Sequence, residues 1–229
     1  CRSFKGYGEK GMRKGQKLIL QGFRCFFYYV VAVPILAILC RVVFGLEIRG
    51  REHLSSLKGA VLICNHVHYL DSAMVAVAAW GRHVTFATLD QNFKLPIVGW
   101  LLKQFGCIPV GTSLKGTKLF LEQSEQLLRE EKLVGIFPEG NLQEYHSSLQ
   151  KFQRGAFLLA AKTEVPVVPM TITQRPVQWY RKFFHRKPFL TLQIGAPLIA
   201  PEGMGERERA QFLQEKAYKE ISIQLEIMK

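Results

Sequence analysis

Acidic side chains are scarce in this chain of 229 residues: 18 Asp and Glu stand against 31 Lys and Arg, a formal charge of +13. A surface of that sign selects anionic partners, whether nucleic acid, acidic lipid headgroups or phosphorylated ligands. Cysteine is sparse too. Cys1, Cys25, Cys40, Cys64 and Cys107 are odd in number, scattered, and mostly set inside apolar runs. They offer neither metal-ligand spacing nor a disulfide framework, which favours a reducing compartment. With only 21% of residues charged and 48% hydrophobic, the composition argues against disorder. No internal repeat, linker or second catalytic domain is visible.

Several chemistries are missing as well. Gly111-Thr112-Ser113-Leu114-Lys115-Gly116-Thr117-Lys118 resembles a phosphate-binding loop, but Lys and Ser/Thr follow the second glycine in the wrong order. Ser113 is not in a nucleophile elbow, because Lys115 occupies the position of the second glycine. His66 and His68 alternate, yet no further ligand set and no H-E-x-x-H accompany them. No activated Ser or Cys stands out, so nothing demands a covalent intermediate. Neither a metal nor a cofactor is expected.

What is present begins with a basic arm. Residues 1–24 carry Arg2, Lys5, Lys10, Arg13, Lys14, Lys17 and Arg24 against Glu9, with glycines at 6, 8, 11, 15 and 22. Cys25–Cys40 then runs sixteen residues without a charge. As a helix it spans about 24 Å, short of a hydrocarbon core of roughly 30 Å, and Pro34 is expected to kink it. A signal peptide is the rival reading, but no clean small-residue cleavage site follows. The better fit is a helix, or bent helix pair, embedded in one leaflet with its basic residues on the anionic surface. A full span drawing on residues from Leu18 to Leu46 stays open.

From Leu46 the pattern alternates. Strand-like runs fall at Leu46–Arg49, Ala60–Cys64, Val84–Thr88, Cys107–Val110, Leu133–Phe137, Val167–Thr173 and Phe189–Ile194. Helical segments lie at Ser72–Trp80, Leu95–Phe105, Thr117–Glu131 and Gly155–Lys162. This predicts an α/β fold: one domain over residues 46–229 with a mostly parallel, roughly seven-stranded sheet flanked by helices, after a membrane-docking helical element in residues 1–45. The tail Glu206–Lys229 spaces Ala210, Leu213, Ala217, Ile221, Leu225 and Met228 by three or four, an amphipathic helix that closes the sheet. Arg175–Lys187 interleaves five basic residues with four aromatics and no acid. Such a mixture can stack on single strands, but beside an apolar N-terminal segment it reads as a membrane-interface loop.

Chemistry concentrates where a strand ends. Asn65-His66-Val67-His68-Tyr69-Leu70-Asp71 follows the apolar run Ala60–Cys64. On one continuous helix His66 and Asp71 would lie roughly 140° apart, so they meet only if the backbone turns between them. With His66 in the turn and Asp71 at the helix start, the carboxylate can accept one imidazole N–H and leave the other nitrogen as a base. Asp71 equally fits a helix N-cap, and His66 an ordinary hydrogen-bonded histidine.

Four segments in fixed order extend this: the N-H-x4-D stretch, Gly106-Cys107-Ile108-Pro109-Val110, Ile136-Phe137-Pro138-Glu139-Gly140-Asn141, and Val165-Pro166-Val167-Val168-Pro169-Met170. Together they resemble the glycerolipid acyltransferase family, typified by 1-acylglycerol-3-phosphate acyltransferases, over roughly residues 46 to 200. Lys151-Phe152-Gln153-Arg154-Gly155-Ala156-Phe157 is similar to a further stretch of that family. The resemblance implies that His66 is the general base for a lysolipid hydroxyl and that Asp71 orients the imidazole. It implies direct transfer from acyl-CoA or acyl-carrier protein to a lysophospholipid, giving phosphatidic acid where the acceptor is 1-acylglycerol-3-phosphate. Asn65, Glu139, Gly140, Lys151 and Arg154 then become substrate-binding candidates. The expected partners are anionic membrane lipids rather than nucleic acid, and the expected location is the cytoplasmic face of a membrane, the inner membrane in a bacterium. Two arginines common in the family are absent: Gly111 and Thr112 stand at one site, and Asn141, Leu142 and Gln143 at the other. Those arginines are natural clamps for a phosphate, so Lys115, Lys118, Lys151 or Arg154 must replace them or the acceptor differs. A phospholipid transacylase and a basic membrane- or nucleic-acid-binding module are the alternatives.

Overall fold

The computed structural model describes residues 13–111, 114–145, 148–177 and 188–227. Half of the N-terminal basic arm, most of the Arg175–Lys187 stretch and Met228 therefore lie outside the described residues.

The described residues begin with one long helix, the first of the two forms expected. α1 (Lys14–Phe26), a π-turn segment (Phe27–Ala32) and α2 (Val33–Phe44) follow without a break. The 30 residues Gly15–Phe44 are long and apolar enough to cross a membrane, reaching about 45 Å at 1.5 Å per residue. Pro34 sits in the first turn of α2, and the wider π-turn just before it accommodates the missing N–H without ending the helix. The helix stops at Gly45, whose φ of +53° suits glycine. A Cβ there would also lie 2.6 Å from the Phe189 ring.

β1 (Glu47–Arg49) and the short α3 (Glu52–Ser55) lead to β2 (Ala60–Cys64), the all-buried strand at the centre of the sheet. The turn 65–70 joins it to α4 (Asp71–Ala78), followed by β3 (Val84–Leu89), a 3-10 turn (Asp90–Lys94), α5 (Pro96–Gln104) and β4 (Ile108–Val110). Then come α6 (Leu114–Arg129), β5 (Leu133–Ile136), α7 (Gly155–Thr163), β6 (Val167–Arg175), β7 (Phe189–Ile194) and α8 (Glu206–Ile227). The seven strands are ordered β1-β7-β6-β2-β5-β3-β4; only β6 and β7 pair antiparallel. The molecule is thus the single-domain α/β fold with a mostly parallel sheet that the sequence pattern predicts.

Alternate residues of β2 feed two cores. Leu62 and Cys64 join Met74 of α4, Phe44 and Cys40 on one face. Val61 and Ile63 join Phe157 of α7, Leu128 of α6 and Leu213 and Ala217 of α8 on the other. Full burial of a side chain such as Leu62 or Ile63 contributes roughly 1.5–3 kcal/mol. With both faces covered, the carboxyl end of β2 is where polar residues can appear, and there the Asn65–Leu70 turn emerges. Among the described residues, Cys40, Cys64 and Cys107 are buried free thiols.

Candidate active site

Asp71 opens α4 and is fully buried. Its Oδ2 accepts three hydrogen bonds, from His66 Nδ1 at 2.8 Å, Val67 N at 2.7 Å and His68 N at 2.9 Å. The carboxylate therefore reaches back into the turn, not forward to cap α4. A carboxylate only accepts, so Nδ1 of His66 carries the hydrogen, and in the neutral imidazole Nε2 is left with its lone pair. The His66 side chain retains 22% of its exposure while Asp71 retains none, so the imidazole is the member that can meet a substrate. Its ring stacks on Phe137, with centroids 4.4 Å apart.

His68 is built differently. Its Nδ1 accepts from Leu70 N at 3.1 Å, and its ring lies against Phe44 and Tyr145. It takes part in the turn, with Nδ1 engaged as an acceptor of a backbone amide. Groups of His, Cys, Asp and Glu able to hold a metal are absent among the described residues.

The turn is held on two sides. Asn65, buried, donates Nδ2–H to Ile172 O at 3.0 Å and accepts from Ile172 N at 2.7 Å, so its amide extends the β2–β6 ladder by one rung. Glu139, also buried, accepts from His66 N at 3.0 Å and from Gln150 N at 3.1 Å. Burial pushes its carboxyl above the usual range, although those two amides and His66 pull it down. Gln143 N donates to His66 O and Tyr145 N to Val67 O, so the segment after Glu139 lies against the turn. Gly140 makes the bend at φ +74°, where a Cβ would meet the Gln153 amide at 3.2 Å.

Lys151 and Arg154 line a separate depression. Both are exposed and border a depression of about 630 Å³ with Gln211, Gln214 and Tyr218 of α8. The crevice beside His66 is lined by Asn65, Glu139, Gln143, Ser148, Leu149 and Leu225. Tyr218 and Leu225 are seven residues apart on α8, about 10 Å, so the two depressions are neighbours along that helix. Lys118 pairs loosely with Glu122 on the exposed face of α6, and the Lys115 side chain is outside the described residues.

Sequence reasoning missed one component. An apolar cavity of about 450 Å³ lies between the N-terminal helix, α4, α5 and the sheet, lined among others by Tyr28, Leu36, Leu70, Ala73, Phe86 and Leu102. Phe86 stacks on Phe137, which stacks on His66, so two rings connect the cavity wall to the imidazole. Its lining comes from separated segments, and the one local signal was that α5 is apolar nearly all round.

Residues 45–173 match the family model described as Acyltransferase, a span that contains all seven candidate residues. The chain is similar to the chloroplastic 1-acyl-sn-glycerol-3-phosphate acyltransferase LPAT1 of Arabidopsis thaliana, 31% identical over 157 residues, covering 68% of this chain and 43% of that one. It is 28% identical over 145 residues to the human 1-acyl-sn-glycerol-3-phosphate acyltransferase alpha, covering 62% and 48%. The chain thus spans less than half the length of these curated relatives. In fold it is similar to the crystal structure of the 1-acyl-sn-glycerophosphate (LPA) acyltransferase PlsC from Thermotoga maritima. The TM-score is 0.63 at 19% identity, over 94% of this chain and 97% of that one. The family match covers more than half of the chain, and the chain belongs to the acyltransferase family.

Proposed function

We propose that this protein transfers a fatty acyl group from a thioester, acyl-CoA or acyl-carrier protein, to the hydroxyl of a lysophospholipid at a membrane surface. The observation that carries this reading is the 2.8 Å contact between His66 Nδ1 and Asp71 Oδ2 on a partly exposed ring. In the proposed step Nε2 takes the hydroxyl proton as the oxygen attacks the thioester carbonyl. The tetrahedral intermediate collapses, the C–S bond breaks, and the leaving thiolate recovers the proton from the imidazolium. Asp71, buried and fixed by two backbone amides, holds the ring and stabilises its cation. The apolar cavity is of a size suited to a ligand chain, and the two stacked rings that join it to His66 support its use by an acyl group. No intermediate on the protein is required.

The named relatives favour 1-acylglycerol-3-phosphate as acceptor, with phosphatidic acid as product. The exposed apolar stripe of the N-terminal helix, with Leu18, Ile19, Phe23, Val30, Ile38 and Val42, supports docking to a membrane, on the cytoplasmic face where both thioester donors occur.

The test is direct. The purified protein is incubated with acyl-CoA or acyl-carrier protein and a panel of lysolipids, thiol release is followed, and the product is identified by mass. His66→Ala is expected to abolish transfer while its melting curve stays close to wild type. A folded His66→Ala protein with near-full activity overturns the reading. Product formed from a phospholipid donor alone would instead make the protein a transacylase.

A further inference from the structure

α5 reads Pro-Ile-Val-Gly-Trp-Leu-Leu-Lys-Gln, apolar on every side until its last two residues. A helix of that composition needs cover all round. Val98, Leu101 and Leu102 are accounted for, since they line the apolar cavity. Leu95, Ile97 and Trp100 do not line it and face outward, Ile97 with 76% of its surface exposed. The helix is firmly seated: Gly99 is buried, and a Cβ there would lie 2.2 Å from Phe93 O, so α5 packs tightly on the preceding 3-10 turn. The outward residues are thus a fixed patch.

We infer that the outward face of α5 is a second membrane-contacting surface, which meets the same leaflet as the N-terminal helix and leaves the apolar cavity between two lipid-immersed walls. This rests on the acyl-transfer reading at a membrane given above. Three features select a bilayer as the occupant. Trp100 packs edge-on against Phe27 of the N-terminal helix, with centroids 5.4 Å apart, so the patch is continuous with that helix's exposed apolar stripe. Lys94 and Lys103 bracket the apolar residues at either end and are exposed, where their ammonium groups can meet anionic headgroups. Asp90 is the sole acid between residues 89 and 105, so the patch suits a negative partner. Tryptophan beside lysine at the edge of an apolar surface is the arrangement that settles at headgroup depth.

The experiment compares wild type with the Leu95→Glu/Ile97→Glu double variant, which touches neither the His66 crevice nor the cavity lining. Binding to vesicles of phosphatidylcholine and phosphatidylglycerol is measured by co-flotation. Thiol release is measured on a vesicle-embedded lysolipid and on a short-chain lysolipid dispersed as monomers. The expected result is vesicle binding weaker by about tenfold or more, since two buried aliphatic contacts are replaced by charges. Activity on the embedded acceptor falls in parallel, and activity on the dispersed acceptor stays at the wild-type level. Brominated acyl chains are expected to quench a component of tryptophan emission that Trp100→Phe removes. Vesicle binding equal to wild type overturns the inference. So does a change in oligomeric mass without a change in vesicle binding, which would assign the patch to a second copy of the chain. Patch-dependent vesicle binding by a wild-type protein that releases no thiol would keep the surface and overturn the acyl-transfer reading.

Discussion

Replacing Asp71 by Asn removes one charge and changes almost no volume, so it separates what the carboxylate does for the fold from what it does for His66. In the fold, Oδ2 serves the backbone amides of Val67 and His68 as well as the ring, while Oδ1 is buried without a hydrogen-bond partner among the described residues. An Asn can put its oxygen where Oδ2 lies and its NH2 where Oδ1 lies. The three donors then stay satisfied, by neutral bonds instead of charge-assisted ones. Each bond weakens by roughly 1 kcal/mol, partly offset because an uncharged group is cheaper to bury, so the net loss of stability is roughly 1–3 kcal/mol. Asp71→Ala is harsher. It strands the Val67 and His68 amides, at about 1–3 kcal/mol each.

The catalytic loss in Asp71→Asn is larger. The imidazolium formed during transfer loses an anion whose charge centre is about 4 Å away, and near a protein surface that interaction is about 4 kcal/mol. Converted to rate, kcat falls roughly 10³-fold, with little change in KM because the ring remains oriented. Thiol release at saturating donor and lysolipid measures it, and thermal melting under the same buffer shows that the protein examined is folded. A folded Asp71→Asn protein with kcat within about tenfold of wild type would refute the proposed role of Asp71 in stabilising the His66 cation.

Other consequences follow from named contacts. Glu139→Gln leaves one of its two amides, His66 N or Gln150 N, facing an NH2 group. Because it acts through the backbone of His66, kcat is expected to fall about tenfold or more with KM nearly unchanged, and a loss confined to KM would assign Glu139 to substrate instead. Ala73→Phe fills part of the apolar cavity and is expected to cut kcat/KM for long-chain donors well below that for short-chain ones; an equal loss for both argues against the cavity as the acyl site. Burial holds the His83 imidazole down at about 4, its Nε2 bonded to Phe105 O at 2.8 Å. Unfolded, the group titrates near 6.5, so the stability it contributes is full above pH 6.5 and is lost as pH falls to about 4, to a total of about 3 kcal/mol. Melting temperature against pH measures this, and His83→Gln is expected to flatten the slope in that window; an unchanged slope places the acid sensitivity elsewhere.

How much of the site could be read beforehand depended on how local each relation is. His66 and Asp71 are five residues apart with a strand on one side and a helix on the other, so the chain itself obliges the turn that joins them, and their pairing was legible. The fold was legible for the same reason: runs such as Ala60–Cys64 are buried on both faces, and a continuous apolar stretch between helical segments leaves few other arrangements. The bend at Gly140 was visible in residue type, but not that it swings Gln143 and Tyr145 onto the turn. Glu139 is 73 positions from His66, and only the sheet order, with β5 beside β2, brings its carboxylate beneath the His66 amide. Lys151 and Arg154 follow Glu139 closely in the chain, but only the packing of Phe152 against α7 and α8 shows that they border a depression of their own beside α8. The N-terminal apolar helix was legible, but its unbroken course through Pro34 was not, because a proline in an apolar run ordinarily signals a break and the π-turn before it leaves no mark in composition. A proton-transfer pair could thus be read from neighbouring residues, whereas the groups that hold it, and the apolar space beside it, exist only once distant segments have packed.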